Sequence, residues 1–272
     1  MNIPVLRDRG RSIALLGLST VSACIVLSAS AVAGAPHPRT EVGTRCQQEF
    51  QNGWQPEAVD MWRRCGNFNG QIGPTDNVEF YYNLHGAQPV LEKTNDGCGW
   101  GCGSSDSVDI FYLSTHSGVN STTAFWAMWD QNSFALSSNM RLGDTSRQLM
   151  VLASFSCSAL QTSDGGSAVL ARWLGAFSGG LVMALGGHDL LYMGNPQSGT
   201  EFASRMQDGE PIGQAWLEAT WYADNRNHPT AMATGADADD CWRRMGVSLP
   251  TLFGTRVLRD SQIGFVCWSS WN

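Results

Sequence analysis

A thiol and an imidazole carry out acyl transfer together when each stands at the end of a strand and the two strands are neighbours. The chain places Cys157 after the apolar run Leu149 to Phe155, and His116 after Val108 to Thr115, 41 residues earlier. A cysteine has an unperturbed pKa near 8.5, so at neutral pH it needs a base to become the nucleophilic thiolate. An imidazole within about 2.6–3.2 Å supplies one. Gly118 lets the backbone turn sharply beyond His116, so that amides there can face a developing oxyanion. Two more histidines end apolar runs: His85 after Val78 to Leu84, and His188 after Leu181 to Leu185. His85 is the rival base. Each residue also has a quieter reading, Cys157 as an inert buried thiol and a strand-end histidine as a hydrogen-bonding cap.

Cysteine arithmetic singles out the same thiol. Beyond residue 35 the chain holds seven cysteines: Cys46, Cys65, Cys98, Cys102, Cys157, Cys241 and Cys267. Outside the cytosol cysteines tend to pair, and an odd number leaves one over. The nearest-neighbour pairings are Cys46 with Cys65, Cys98 with Cys102 and Cys241 with Cys267, which leave Cys157 alone. Six cysteines allow 15 connectivities, so this map stays open. Cys98 and Cys102 lack a second Cys or His pair at zinc spacing. No metal and no cofactor is therefore expected.

The elements that must position these groups alternate. The runs at 78–84, 108–115, 149–155 and 181–185 are rich in strand formers. The third is apolar throughout, as a strand covered on both faces should be. A helix is expected from about Ser167, as N-cap, to Phe177, with Val169, Leu170, Trp173, Leu174 and Phe177 at helical spacing and Gly179-Gly180 as the stop. Another starts after Pro211, with Ile212, Ala215, Trp216, Ala219 and Tyr222 as its stripe. A short helix is expected around Glu57 to Arg64. Strands alternating with amphipathic helices give an α/β fold with a mostly parallel sheet and flanking helices. In such sheets sites form outside the carboxyl ends of the strands, which is where the four polar residues stand.

The N-terminus reads as an export signal. Arg7, Arg9 and Arg11 precede a nearly uncharged apolar stretch from Ile13 to Val32, and Ala31-Val32-Ala33 or Ala33-Gly34-Ala35 offers small residues for cleavage. A retained anchor is the alternative, since the stretch approaches the roughly 20 residues that span a bilayer. A lipoprotein linked through Cys24 is another, although the residues after Cys24 stay apolar. Secretion or periplasmic release, without stable membrane insertion after cleavage, is the expectation. The chain carries −7 overall, and without residues 1–35 it has 14 basic against 23 acidic residues, or −9. Such a surface excludes a nucleic-acid partner, which requires clustered Lys and Arg. The expected organisation is a signal peptide over 1–35, an N-terminal covering segment over 36–77 with a flexible leader at 36–45, a core over 78–234, and a Trp-rich, disulfide-linked tail over 235–272.

The pattern of apolar strand to His-Ser-Gly, apolar strand to Ser-Cys, helix, Gly-Gly and a further apolar strand resembles the caspase-like fold of cysteine peptidases. That group includes caspases, gingipains, legumain, separase and bacterial domains of the CHAT type. The residues that carry the likeness are Asp109 to Gly118, Leu149 to Ser158, Phe177 to Gly186 and Gly213-Gln214-Ala215-Trp216. The chain is also similar to an uncharacterised family of bacterial secreted proteins with a Cys-Gly-x-x-Asp-Ser-x-Asp approach to the His strand, here Cys102 to Asp109. The resemblance covers about residues 78–223. It implies a three-layer sandwich, His116 as general base, Cys157 as nucleophile, the amides of Gly118 and Cys157 as oxyanion donors, and a thioester intermediate without metal. Here Ser117 stands where the family has Gly directly after the His, whereas His85-Gly86 keeps the dipeptide one strand too early for the usual order.

Two functions follow. One is a secreted cysteine hydrolase, above all a peptidase acting on a peptide or protein substrate, with Asp189, His188, Asp106 and Asp109 as candidates for a pocket favouring a basic residue. The other is a non-catalytic binding module on the same fold that uses Trp-rich loops, with Trp54, Trp100, Trp242, Trp268 and Trp271 among the 11 Trp. A serine hydrolase lacks its Gly-x-Ser-x-Gly elbow. A dinucleotide site is excluded because the Gly-rich stretch 175–187 flanks a strand rather than opening a helix.

Overall fold

A computed structural model of the chain describes residues 40–46, 56–72, 78–80, 105, 108–127, 134–143 and 149–272. Within them the apolar runs at 108–115, 149–155 and 181–185 form three adjacent inner strands of a seven-stranded sheet. Five strands lie parallel: β1 (Val42–Cys46), β2 (Val78–Phe80), β3 (Ile110–Ser114), β7 (Val151–Phe155) and β8 (Met183–Gly187). Two more, β9 (Pro229–Gly235) and β10 (Phe265–Ser270), close one side as antiparallel neighbours. The spatial order is β10-β9-β8-β7-β3-β1-β2. Between β3 and β7 the chain makes a small antiparallel sheet from β4 (Ser117–Val119), β5 (Ala124–Ala127) and β6 (Phe134–Leu136).

Alternation along the strands sorts the core into two faces. Ile110, Tyr112, Val151, Ala153, Phe155, Met183 and Leu185 belong to one apolar cluster. Phe111, Leu113, Leu152 and Ala184 belong to the other. The first face is covered by α1 (Pro56–Ile72), α3 (Ser198–Gln207), α4 (Ile212–Ala223) and α5 (Ala238–Met245), whose Phe68, Phe202, Trp216 and Met245 join that cluster. The second face takes α2 (Gly166–Phe177), with Trp173 edge-on to Trp126 of β5 at 5.6 Å between ring centres. A four-residue helix, α6 (Leu249–Leu252), leads towards β10. β3, β7 and β8 are buried on both faces, as parallel strands are.

The structure departs from the sequence reading at several places. Residues 42–46 fall partly in the expected leader, yet they form β1, which pairs with β3 on one side and β2 on the other. Only Val42 and Cys46 are apolar there; at Gly43 the Val108 and Phe111 side-chain carbons lie 3.1 and 3.2 Å from where a Cβ would stand, so a larger residue would have to push them back by a few tenths of an ångström. The short helix expected around 57–64 runs on through Ile72. Ser167 is not the N-cap of α2, because the helix begins at Gly166 with Gly165 as cap, at φ 89°. The C-terminal tail is not irregular: α5 and β10 are regular elements, and β10 adds a strand to the sheet.

Two disulfides tie the periphery to this core. Cys46 of β1 is bonded to Cys65 of α1, and Cys241 of α5 to Cys267 of β10. Cys98 and Cys102 lie outside the described residues. Both bridges fit folding outside the reducing cytosol. Among the described residues no helix is long and apolar enough to cross a membrane.

Candidate functional site

Cys157 sits on a turn that the chain beyond β8 encloses. After β7, Ser158 adopts φ 52°, the left-handed region, and is the one non-glycine residue to do so among those described. Holding a side chain there costs about 1–3 kcal/mol and needs surrounding contacts to fix it. These are present: the Ser158 amide donates to the Asp189 carbonyl at 2.8 Å, and the Leu160 amide to that of Gly187 at 2.9 Å. The Leu191 amide points at the Cys157 sulfur at 3.4 Å, and the thiol faces the Leu191 carbonyl at 3.7 Å. Beneath the turn, Trp126 Nε1 donates to Ser154 Oγ at 2.8 Å, which bonds Ser156 Oγ at 2.6 Å. Cys157 itself is half-buried, and among the described residues it is the free thiol.

His116 occupies the matching step of the neighbouring strand. β3 and β7 run parallel with Ser114 opposite Phe155, so His116 and Cys157 each stand two residues beyond a paired strand end, on the same rim. His116 is exposed, and its carbonyl accepts from the Ala127 amide at 2.8 Å. Thr115 Oγ1 donates to the Ala127 carbonyl at 2.7 Å. The two turns are joined directly, because Ser117 Oγ donates to the Cys157 carbonyl. Gly118 lies within β4 opposite Phe125, and that ring fills the space a Cβ would need, 2.6 Å away.

A family model described as a domain of unknown function, DUF6345, matches residues 75–245, more than half of the chain. The chain belongs to the DUF6345 family. No curated protein matches it. The DUF6345 span contains His116, Cys157 and the loop after β8, whereas β1, α1 and β10 lie outside it.

One contributor from outside that span is Arg64 of α1. Its guanidinium carbon lies 3.7 Å from the centre of the Phe155 ring, two residues before Cys157. Its Nε donates to Ser198 Oγ at 2.6 Å, and Nη2 donates to the carbonyls of Met193 and Asn195. It is fully buried, and among the described residues no carboxylate pairs with it. Burial therefore pulls its pKa down, while Tyr112 and Asp60 oppose the change. Arg64 thus pins the chain that continues from Leu191, the residue facing the thiol. Sequence reading missed it, although Met61, Cys65, Phe68 and Ile72 are all buried and a charge inside that helical stripe was the available signal.

The remaining candidates disperse. His188 stacks on His228 with ring centres 5.3 Å apart, and its Nδ1 lies 3.0 Å from Thr230 Oγ1 of β9. Burial lowers its pKa, with a bond to Asn272 opposing and the charge of His228 adding to the drop. Asp189 offers its carbonyl to the Cys157 turn, while its carboxylate points to His228 Nδ1 at 3.6 Å. Asp109 is not a pocket residue: it precedes β3, at the opposite end of the strand, and its Oδ2 accepts from the Glu41 amide at 2.7 Å. His85, Asp106, Trp54 and Trp100 lie outside the described residues. Of the other tryptophans, Trp268 and Trp271 pack against the core and Trp242 is exposed.

On the same side of the sheet, an open cleft of about 470 Å³ lies along α3 and α4. Asn195, Ser198, Glu201, Arg205 and Tyr222 are among the residues lining it.

Proposed function

We propose that this DUF6345 protein is an exported cysteine hydrolase, in the first place a peptidase, with Cys157 as nucleophile and His116 as base. The observation that carries the reading is the register of β3 and β7. It assigns the imidazole-bearing and thiol-bearing residues to equivalent steps of adjacent parallel strands, at the rim where α/β sheets form their sites. The tether from Ser117 to the Cys157 carbonyl supports it, as does the single free thiol among the described cysteines.

The caspase-like reading gains support from the strand order. From the β2 edge inward the sheet runs β2, β1, the His strand, the Cys strand and β8, and then turns antiparallel. The paired disulfides and the apolar head at residues 13–32 support export.

In the proposed reaction His116 accepts the thiol proton and the sulfur attacks the carbonyl carbon of the scissile amide. The C–N bond then breaks as the imidazolium returns the proton to the leaving amine. Water, deprotonated by His116, attacks the thioester and releases a carboxylic acid and the free thiol. In this scheme the amides of Cys157 and Gly118 are the oxyanion donors that the caspase-like resemblance implies.

Labelling the purified chain with iodoacetamide and with a peptidyl acyloxymethyl ketone, followed by peptide mapping, tests it. Modification concentrated on Cys157, and suppressed by His116→Ala but not by His85→Ala, is expected. An unreactive Cys157 would remove the enzyme reading and leave a binding module. In that module the exposed Trp242 is the residue to replace first, in a screen against glycans and proteins.

A further inference from the structure

We infer that Leu190 and Tyr192 form an apolar subsite beside the Cys157 sulfur. Its occupant is an aliphatic or aromatic side chain on the substrate residue whose carbonyl is attacked. This rests on the peptidase reading and extends it to substrate class.

The tie to the thiol is short. The Leu191 amide nitrogen lies 3.4 Å from Cys157 Sγ. Leu190 is bonded to that nitrogen, so standard bond lengths put its Cα within about 6 Å of the sulfur. By the same geometry the Cα of Tyr192 stands within about 9 Å. A carbonyl carbon under attack comes to about 3–3.5 Å from its nucleophile, and the side chain of that substrate residue begins two bonds further on.

A single exposed leucine is ordinary on a protein surface. Leu190 and Tyr192 differ because the loop that carries them is fixed. Leu191 between them is buried, and its Cγ lies 2.7 Å from where a Cβ on Gly187 would stand, so the glycine at the end of β8 makes room for it. The His188 amide donates to the His228 carbonyl at 3.0 Å, and the Asp189 carbonyl accepts from the Ser158 amide at 2.8 Å. The Tyr192 amide donates to Oδ1 of the fully buried Asn227 at 2.5 Å. Yet Leu190 is 51 % exposed and Tyr192 38 %. Apolar surface held still in water beside a nucleophile gains when a ligand covers it.

The charges nearby compete weakly for that ligand. Arg226 lies 4.2 Å from the centre of the Tyr192 ring and is paired with Asp224 at 2.6 Å. It covers one face of the tyrosine and leaves Leu190 as the larger open contribution. The Asp189 carboxylate is exposed and faces His228 Nδ1 at 3.6 Å. An exposed ion pair to a substrate lysine adds at most about 5-fold to binding. Covering an apolar side chain adds about 10-fold or more. The apolar residue wins.

Two measurements test this. The purified chain is alkylated with N-methylmaleimide and N-hexylmaleimide, and each rate at Cys157, read by peptide mapping, is divided by the rate with free cysteine. The hexyl reagent should gain about 5-fold or more over the methyl one, and Leu190→Ser should remove most of that gain. Because Leu190 is exposed, the variant should keep its thermal midpoint. No alkylation, no gain from the alkyl chain, or a gain that Leu190→Ser leaves intact would overturn the subsite. In the second measurement the chain is offered peptides that differ only in the residue supplying the attacked carbonyl: Leu, Phe, Gly, Lys or Glu. Leu and Phe should exceed the others by about 10-fold or more in kcat/KM, and Leu190→Ser should narrow the ratio of Leu to Gly several-fold. Cleavage that prefers Lys, or that shows no preference, would sink the subsite and keep the peptidase. A maleimide gain that depends on Leu190, without cleavage of any peptide, would keep an apolar binding site beside the thiol and sink the peptidase.

Discussion

The turn after β7 and the turn after β3 lie side by side but are held in different ways. The Cys157 turn is locked from three directions: Asp189 and Gly187 carbonyls take its amides, the Leu191 amide meets its sulfur, and buried serines with Trp126 support it from below. The His116 turn is exposed and continues straight into the three-stranded sheet, anchored through Ala127 and through Ser117. A nucleophile benefits from rigid placement because misalignment of about 1 Å costs rate steeply. A base that must take up and deliver protons tolerates a more open seat. The difference teaches that the strain at Ser158 belongs to the thiol side, and that the imidazole side is adjusted to it through one hydroxyl.

Removing either partner is the severest way to break this pairing. Cys157→Ala should bring hydrolysis to background. His116→Ala should lower the rate by about 10²–10⁴-fold, the usual worth of a positioned acid–base group. Both should leave the thermal midpoint within a few degrees, since Cys157 is half-buried and His116 exposed. A His116 variant with full activity would move the base elsewhere, first to His85.

Arg64→Met attacks the support of the thiol side alone. It removes the cost of burying a guanidinium, which favours the variant, but it takes the side-chain donor from the Met193 carbonyl and from Ser198 Oγ, while the Asn195 carbonyl keeps the Ser198 amide. Unsatisfied buried acceptors cost about 1–3 kcal/mol each, so the acceptors win. A net loss of about 2 kcal/mol, or roughly 4–8 °C in Tm, should appear in thermal unfolding. Cys157 alkylation should also become less dependent on His116 as the 191–198 loop loosens. Ser117→Ala probes the opposite side. It should cost about 1 kcal/mol of stability and reduce kcat several-fold with KM nearly unchanged, because the hydroxyl aligns the turns and touches no substrate. An unchanged kcat would mean that the two turns hold their spacing without it.

How much of this was legible follows from where the information lies. Strands whose own residues are apolar, β3, β7 and β8, stand within two residues of their expected limits, and Ile212–Ala223 begins where Pro211 said it would. β1 was invisible, since Val-Gly-Thr-Arg-Cys becomes a strand by pairing on both edges rather than by propensity. The α3 helix, with its Ser-Gly-Thr start, reads locally as a turn and is held by packing on α1 and α4. Spacing left the disulfide map open, and two of its nearest-neighbour pairings, Cys46 with Cys65 and Cys241 with Cys267, are made in the fold. Arg64 and the cleft along α3 and α4 were not legible, because both depend on contacts across more than 100 residues or between consecutive helices. Ser117 illustrates the point in reverse: in the sequence it is a deviation from the resembled family, which has Gly directly after the His, and in the fold it bridges the two turns.

The smallest expected effect concerns the far end of the same rim, where His188 shares its environment with His228, Asp189, Thr230 and Asn272. Burial holds the His188 pKa below its ordinary 6.5. The unfolded chain therefore binds a proton near pH 6.5 that the folded chain resists, and stability must fall as pH drops from 6.5 towards the lower folded value. Above pH 6.5 the group contributes nothing to this slope. Urea midpoints at pH 7.5 and 5.5 should thus show a larger acid loss for the native chain than for His188→Gln. Asp224, held down to about 2 by Arg226, and Asp164, held below its ordinary 3.8 by Arg172, lose their contributions only as pH falls below about 4, outside this window. Equal acid losses in the two proteins would assign the slope to other groups, and would leave the stacked pair at β8 and β9 as a packing contact without a role in acid sensitivity.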